Sequence, residues 1–445
     1  MTNYDVLIVG SGSAGQTVAA ACAKAGKSVA VVDRLPFGGT CSLRGCEPKK
    51  MLLAGSEATG RTSALEGQGV GGTCRIDWPR LMQRKRERVD AVPSRTVSWM
   101  NDMGIATLHA TARFISPDTL DVGGEPTSAA AIVIAAGARP VGLGIEGEDL
   151  VLTSTDFLSL EVMPSSVAFI GGGYISFEFA RLAQLAGAEA TIIHRSRQVL
   201  KGFDPTLADA LAERYRALGI DVLLDAPAQR VGLLGDGRVS VSTPKGDVEA
   251  DLVFHGAGRV PDLADLDLDA GGVHHTSMGV GVDSQLRSTS NPVVWSCGDA
   301  AAAGTPLTPV AAVQGEIVSA GILGRHAEFD DSATPSVVFS DPPLARVGAD
   351  AEAAQSDPRL EVSSLDMSRW FTQTRVGNTA GGATLVLERD TGAIKGAHLL
   401  GVGADEIINV FAVAVRFGVT IRDLRTVTWS YPTLAYDINY LTGRY

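Results

Sequence analysis

Cys41 and Cys46 stand five positions apart in the stretch Gly38-Gly39-Thr40-Cys41-Ser42-Leu43-Arg44-Gly45-Cys46-Glu47-Pro48-Lys49-Lys50. Side chains four or five apart on a helix can face the same way, so the two sulfurs are able to close a small disulfide ring. That is an arrangement for redox chemistry; the plainer alternative is a pair of free thiols in a glycine-rich loop. Gly38 and Gly39 allow the backbone to approach a flat cofactor, and Pro48, Lys49 and Lys50 lead into an apolar helix expected from Met51 onward.

The elements that must position this pair begin at the N-terminus. Residues 4–9 read as a buried parallel strand, followed by Gly10-Ser11-Gly12-Ser13-Ala14-Gly15, a helix through residue 24, a strand at 29–32 and then Asp33. In that order they form a dinucleotide fingerprint: glycines for the turn and the pyrophosphate, a helix N-terminus for its charge, an acid for the ribose. A second copy runs from a strand at 166–170 through Gly171, Gly173 and Ile175, with Ser176 in the third glycine's place, to a strand at 190–193. Close helix packing at that third position needs only a small side chain. Where an NAD site carries an acid, this copy has His194, Arg195, Ser196 and Arg197, with Lys201 beyond. Cations there pair with a 2′-phosphate and favour NADPH over NADH, the alternative being a solvated basic loop. Residues 75–101 carry the sparse apolar marks of one long surface helix, and strands at 384–388 and 394–400 precede a helix at 405–417.

The 445 residues leave room for about three domains. A net charge of −12 argues against a nucleic-acid or anionic-membrane binder, both of which need a basic footprint. Five scattered cysteines do not make a secreted disulfide framework, and no apolar run is long enough to span a bilayer. With no signal segment ahead of the first strand, the expected location is cytoplasmic.

The residues GGTC-x4-C-x-PKK resemble the redox-active loop of the flavin-dependent pyridine nucleotide-disulfide oxidoreductases. Ala136-Gly137-Ala138-Arg139-Pro140 is similar to that family's ATGxxP turn, Gly258-Arg259-Val260-Pro261 to its GRxP turn, Gly298-Asp299 to its second flavin motif, and Leu307-Thr308-Pro309-Val310-Ala311 to the segment that runs past the flavin ring. Segments 392–398 and 405–409 resemble its dimerisation domain, so the likeness covers essentially the whole chain. It implies an α/β fold with two Rossmann-like dinucleotide-binding domains, for FAD and NADPH, and a C-terminal α+β dimerisation domain. The expected divisions are 1–145 and 263–333 for FAD, 146–262 for NAD(P)H and 334–445 for the interface of a homodimer. FAD would be held through Gly10, Gly12, Gly15, Asp33, Gly39, Thr40, Gly137, Asp299, Thr308 and Ala311. NADPH would be held through Gly171, Gly173, Ile175, Arg195, Arg197, Lys201, Gly258 and Arg259. In this resemblance Cys41 and Cys46 form the redox disulfide, Cys46 facing the flavin and Cys41 meeting the acceptor. Lys49 and Glu178 pair near the flavin and nicotinamide, and Tyr174 covers the nicotinamide pocket. No metal cofactor is expected.

One segment departs from the pattern. Thiol-reducing members carry HPxxxE near the C-terminus, whereas this chain reads Tyr431-Pro432-Thr433-Leu434-Ala435-Tyr436 and has no His after His398. A phenol, with an ordinary pKa of about 10, is a poor base near neutrality. Mercuric reductase has a Tyr at the His position, but the C-terminal cysteine pair of that enzyme has no counterpart here. Three readings stand at this point: a reductase passing electrons to a small disulfide, soft metal ion or other electrophile; a thioether-cleaving, carboxylase-like relative; and a flavoprotein that senses redox state without turnover.

Overall fold

The computed structural model describes residues 2–443, so Met1, Arg444 and Tyr445, at the ends of the expected first and last domains, lie outside it. Two compact units emerge. One takes the chain up to Lys50 together with Gln83–Val141 and Arg259–Asp331. The other takes Met51–Met82, Gly142–Gly258 and everything described from Ser332 onward.

The first unit is built on a mixed sheet. Its strands run in the order Ala106–His109, Val29–Asp33, Thr2–Val9, Glu125–Ile134, Thr119–Val122, Ala112–Ser116, and Val294–Ser296 also pairs with Glu125–Ile134. Thr2–Val9 is parallel to both neighbours, with Val6 opposite Val29 and Ile8 opposite Val133. Its last residues, Val6 to Val9, are buried, as an unbroken apolar run covered on both faces requires. The helix Ser13–Lys24 turns Ala14, Gly15, Val18, Ala19 and Cys22 inward, a helical stripe. Gly315 lets the helix Thr308–Ile322 press close to it, because a Cβ there would lie 2.8 Å from the Ala14 carbonyl and 2.9 Å from Thr17.

The second unit contains a four-stranded parallel sheet in the order Asp221–Leu223, Glu189–Ile193, Ser166–Ile170, Leu252–His255. It also holds a three-stranded antiparallel sheet and a five-stranded antiparallel sheet. The latter runs Ser336–Val338, Leu344–Gly348, Ile394–Leu400, Gly382–Glu388, Leu360–Asp366. Over the last sheet lies the helix Ala404–Phe417, which buries Ile407, Ile408, Phe411 and Ala414 but leaves Phe417 77% exposed.

Two expected boundaries differ from those observed. The helix expected from Met51 begins at Cys46 and runs to Ala64, since Pro48 falls in the first turn, where its missing N–H costs no helical hydrogen bond. The single helix expected over 75–101 is two, Trp78–Val89 and Val92–Asp102, broken where Pro93 starts the second.

Candidate active site

Cys41 lies on the short helix Gly39–Arg44 and Cys46 opens the helix Cys46–Ala64, with Gly45 separating the two helical segments. Both are thiols here. The hydrogen bond it makes to Cys46, and then burial, hold the proton on Cys41, whose pKa is pushed well up. Cys46 goes the other way. The hydrogen bond from Cys41 pulls it down to about 6 against the opposing effect of burial, helped by the Thr308 hydroxyl and the Lys49 ammonium. Thr308 Oγ1 is 3.4 Å from Cys46 Sγ. The arrangement favours the proton on Cys41 and the negative charge on Cys46, which opens a helix whose N-terminus favours an anion. Cys297 is buried, and burial pushes its thiol up to about 12.

Around this pair the first unit forms a nucleotide cradle. Gly10 has φ +111°, and a Cβ on it would lie 2.2 Å from the Ala135 carbonyl oxygen. Gly39, at φ +74°, brings the cysteine loop so close to the first glycine turn that a Cβ would meet the Gly12 Cα at 2.4 Å. No side chain caps the helix Ser13–Lys24 at Gly12, so its first N–H groups are open to an anion. Asp33 is fastened to the turn: Oδ2 accepts from the Ser11 N–H at 2.8 Å and the Ser11 hydroxyl at 2.6 Å, and Oδ1 from the Leu35 N–H at 2.9 Å. Thr40 lies one residue further along the cysteine loop, Gly15 faces the core, and Gly298 sits against Ala14 and Ala311.

The strand Arg259–Pro261 pairs antiparallel with Ala138–Pro140, and the Asp262 N–H reaches the carbonyl of Gly137 at 2.9 Å, which unites the two turns placed apart in sequence. Arg259 stands near Asp299, whose carboxyl is raised by burial and lowered in part by that guanidinium. These residues fit FAD: glycine backbone at the pyrophosphate turn, an anchored acid for a ribose, and a half-buried carboxyl for the hydroxyls of the ribityl chain. Bound there, FAD would supply a two-electron relay between a nicotinamide and the disulfide.

In the second unit Gly171 repeats the pattern, with φ +119° and a Cβ that would lie 2.3 Å from Gly256. Ser176 is fully buried, and a Cβ on Gly256 would strike its Oγ at 2.1 Å, so the small third residue does serve close packing. Gly173 caps the helix Tyr174–Leu185, which carries a half-exposed Tyr174, a partly buried Ile175 and a buried Glu178. Glu178 Oε1 accepts from the Phe339 N–H at 2.9 Å. The acid position of the fingerprint is taken by His194, whose Nδ1 accepts from the Gly172 N–H at 2.9 Å while Nε2 faces the Gln198 carbonyl at 2.8 Å. Burial lowers its pKa, so the ring is neutral. Arg195, Arg197 and Lys201 are exposed beyond it, and Gly258, at φ +117°, ends this part of the unit.

Tyr431 and Tyr436 meet edge to face at 4.8 Å between ring centroids, and Tyr440 and Trp370 extend the row. Three residues not foreseen from sequence join the first unit's site. Arg34 pairs with Asp262 at 2.5 Å, Arg44 is half-buried and interacts electrostatically with Asp33 and Arg259, and Glu47 is bound to Ser42 and Arg88. Local spacing does not mark them, since Asp262, Arg259 and Arg88 come from distant segments. Among the described residues no group of His, Cys, Asp and Glu is placed to hold a metal ion, and no helix is long and apolar enough to cross a membrane.

Comparison with known proteins accords with this geometry. The family described as pyridine nucleotide-disulphide oxidoreductase matches residues 4–315, and the dimerisation domain of the same family matches residues 334–440. Glutathione reductase of Burkholderia cepacia is 30% identical over 99% of both chains, and mercuric reductase of Staphylococcus aureus is 31% identical over 97% of this chain and 81% of that protein. Among solved structures, the Cu(II) complex of the HOCl-induced flavoprotein disulfide reductase RclA from Escherichia coli is similar over 100% of both chains, with a TM-score of 0.89 and 28% identity. A redox cysteine loop on one dinucleotide cradle, a second cradle and a dimerisation domain thus place this chain in the pyridine nucleotide-disulphide oxidoreductase family, as a flavoprotein disulfide reductase that uses FAD and a pyridine nucleotide.

Proposed function

We propose that the chain is an NADPH-preferring reductase whose Cys41–Cys46 disulfide is reduced by way of FAD and whose reduced pair passes electrons to a small thiophilic acceptor, foremost a soft metal ion. The observation that carries this reading is the pair of free cysteines Cys41 and Cys46, with the Thr308 hydroxyl 3.4 Å from the Cys46 sulfur, in a chain with tyrosines where dithiol exchange needs an acid–base pair. Thiolates suit soft ions. RclA, similar along its whole length, has been solved as a Cu(II) complex. The electron count closes without a base: thiol, thiolate and two Cu(II) give the disulfide, two Cu(I) and one proton. On this reading Lys49 and Glu178 tune hydride transfer, Tyr174 covers the nicotinamide, and Tyr431 and Tyr436 line the acceptor's approach in a homodimer. Exposed Phe371, Val413 and Phe417 supply apolar surface for a second copy to cover. The divisions 1–145, 146–262, 263–333 and 334–445 and a cytoplasmic setting belong to the same proposal.

The test is an anaerobic NADPH titration followed at the thiolate-to-flavin charge-transfer band, then addition of Cu(II) with a Cu(I) chelator or of glutathione disulfide. Rapid reoxidation by Cu(II), with two Cu(I) per NADPH and slow reaction with glutathione disulfide, is the expected result. Faster turnover of glutathione disulfide would defeat the metal reading.

Nucleotide preference follows from His194. Its Nδ1 is occupied by the Gly172 N–H and it carries no negative charge, so it neither accepts a ribose hydroxyl nor repels a phosphate, and Arg195 and Arg197 flank it. Charge-assisted hydrogen bonds contribute about 1.5–3 kcal/mol each. Arg195→Glu with Arg197→Glu is expected to raise KM for NADPH by about 10- to 100-fold and to leave NADH little changed or improved, as steady-state kcat/KM with each nucleotide will show. Equal losses for both nucleotides would count against a 2′-phosphate site.

A further inference from the structure

Next to the cysteine pair, the first turn of the helix Cys46–Ala64 carries Glu47, a carboxylate the reaction as described does not use. Its Oε1 accepts from the Ser42 hydroxyl at 3.1 Å, and Ser42 is the residue after Cys41. Its Oε2 is held by Arg88, through Nε at 3.3 Å and Nη2 at 3.2 Å. Arg88 is steadied in turn, because the Arg95 guanidinium donates to its carbonyl at 3.1 Å. Glu47 acts electrostatically on Cys41, and Lys49 acts on Cys46. The Thr308 hydroxyl also reaches the pair, whereas Arg44 interacts electrostatically with Asp33 and Arg259.

We propose that Glu47, clamped between the Ser42 hydroxyl and the Arg88 guanidinium, is a positioning residue that sets how the reduced pair divides its one proton and one negative charge between Cys41 and Cys46. Reduction of the disulfide takes two electrons and one proton from a two-electron donor. The S–S bond breaks, the proton goes to Cys41 and the charge to Cys46. A carboxylate on the Cys41 side disfavours a thiolate there and leaves the charge on Cys46, beside Lys49 and Thr308. The same negative charge opposes reduction, since the product is an anion, and Arg88 offsets part of that opposition.

This rests on Cys41 and Cys46 being the redox couple, and the test separates the two claims. The holoenzyme and its Glu47→Gln and Arg88→Gln variants are equilibrated with graded dithiothreitol redox buffers, quenched by alkylation and read by mass spectrometry. The alkylation rates of Cys41 and Cys46 are measured against pH in parallel. Removing the carboxylate is expected to raise the equilibrium constant for reduction by about tenfold, about 30 mV for a two-electron couple, and to move alkylation from Cys46 toward Cys41, read as the ratio of the two singly alkylated products. Removing the guanidinium is expected to move both quantities the other way, and Glu47→Asp to restore them. A merely structural clamp would shift both variants in the same direction, and that result, or a change below about twofold in each, overturns the role of Glu47. If the wild-type cysteines never titrate as one couple, the functional reading fails and the inference with it.

Discussion

Cys46→Ser is expected to leave reduction of the flavin by NADPH intact while acceptor turnover falls by about 10³-fold or more. The charge-transfer band should vanish in the same variant, because the thiolate responsible is gone. In the wild type, the reactivity of this thiolate is present above about pH 6 and lost below it, following the depressed Cys46 pKa. Cys41→Ser behaves differently. A serine hydroxyl still donates toward Cys46, so the thiolate and its band persist even in the oxidised flavoprotein, and turnover is lost for want of the second sulfur. Rapid-scan spectroscopy on both variants decides the matter: a band surviving in Cys46→Ser would reverse the roles of the two cysteines.

Gly39→Ala should have the second large effect, through the cofactor. The residue has φ +74°, which costs an alanine about 1–2 kcal/mol, and its Cβ would lie 2.4 Å from the Gly12 Cα, backbone against backbone. No rotamer relieves that contact, so either the cysteine loop or the first glycine turn must move, and both border the FAD cradle. The expected outcome is a protein purified with less than about a tenth of its flavin, and a weakened affinity of roughly 2–4 kcal/mol by the same strain reasoning. Absorbance at 450 nm against protein concentration measures the first, and titration of the apoprotein with FAD the second. Full occupancy would show that the loop carries no such constraint. Gly104→Ala serves as a control, since nothing lies within 4 Å of the Cβ it would add, although its φ of +72° strains it equally.

Much of the fold was legible because its signals are local. The strand Ser166–Ile170 was expected over the same residues, and the strands Thr2–Val9 and Val29–Asp33 lie within two residues of their expected ends, because a buried apolar run stops where glycine or an acid begins. The helix breaks were less legible. Pro48 was read as a prelude to a helix and proved to lie in its first turn, a matter of one turn of backbone geometry. The site divides the same way. Cys41, Cys46, the glycine turns and Asp33 announce themselves by type and spacing, but the departure at Tyr431 and Tyr436 could be seen only against a family pattern, and their mutual contact only in space.

By itself the sequence determined that two nucleotide-binding βαβ units flank a redox cysteine loop, for their chemistry depends on residues within about 25 positions of one another. Tertiary structure alone decided which way the charge of that loop lies. Thr308 reaches Cys46 across 262 positions, Arg88 reaches Glu47 across 41, and Arg34 reaches Asp262 across 228. A neutral His194 doing the fastening that Asp33 does in the first cradle was equally hidden. Proton and charge placement respond to whatever packing brings within a few ångströms, and distance along the chain carries no trace of it.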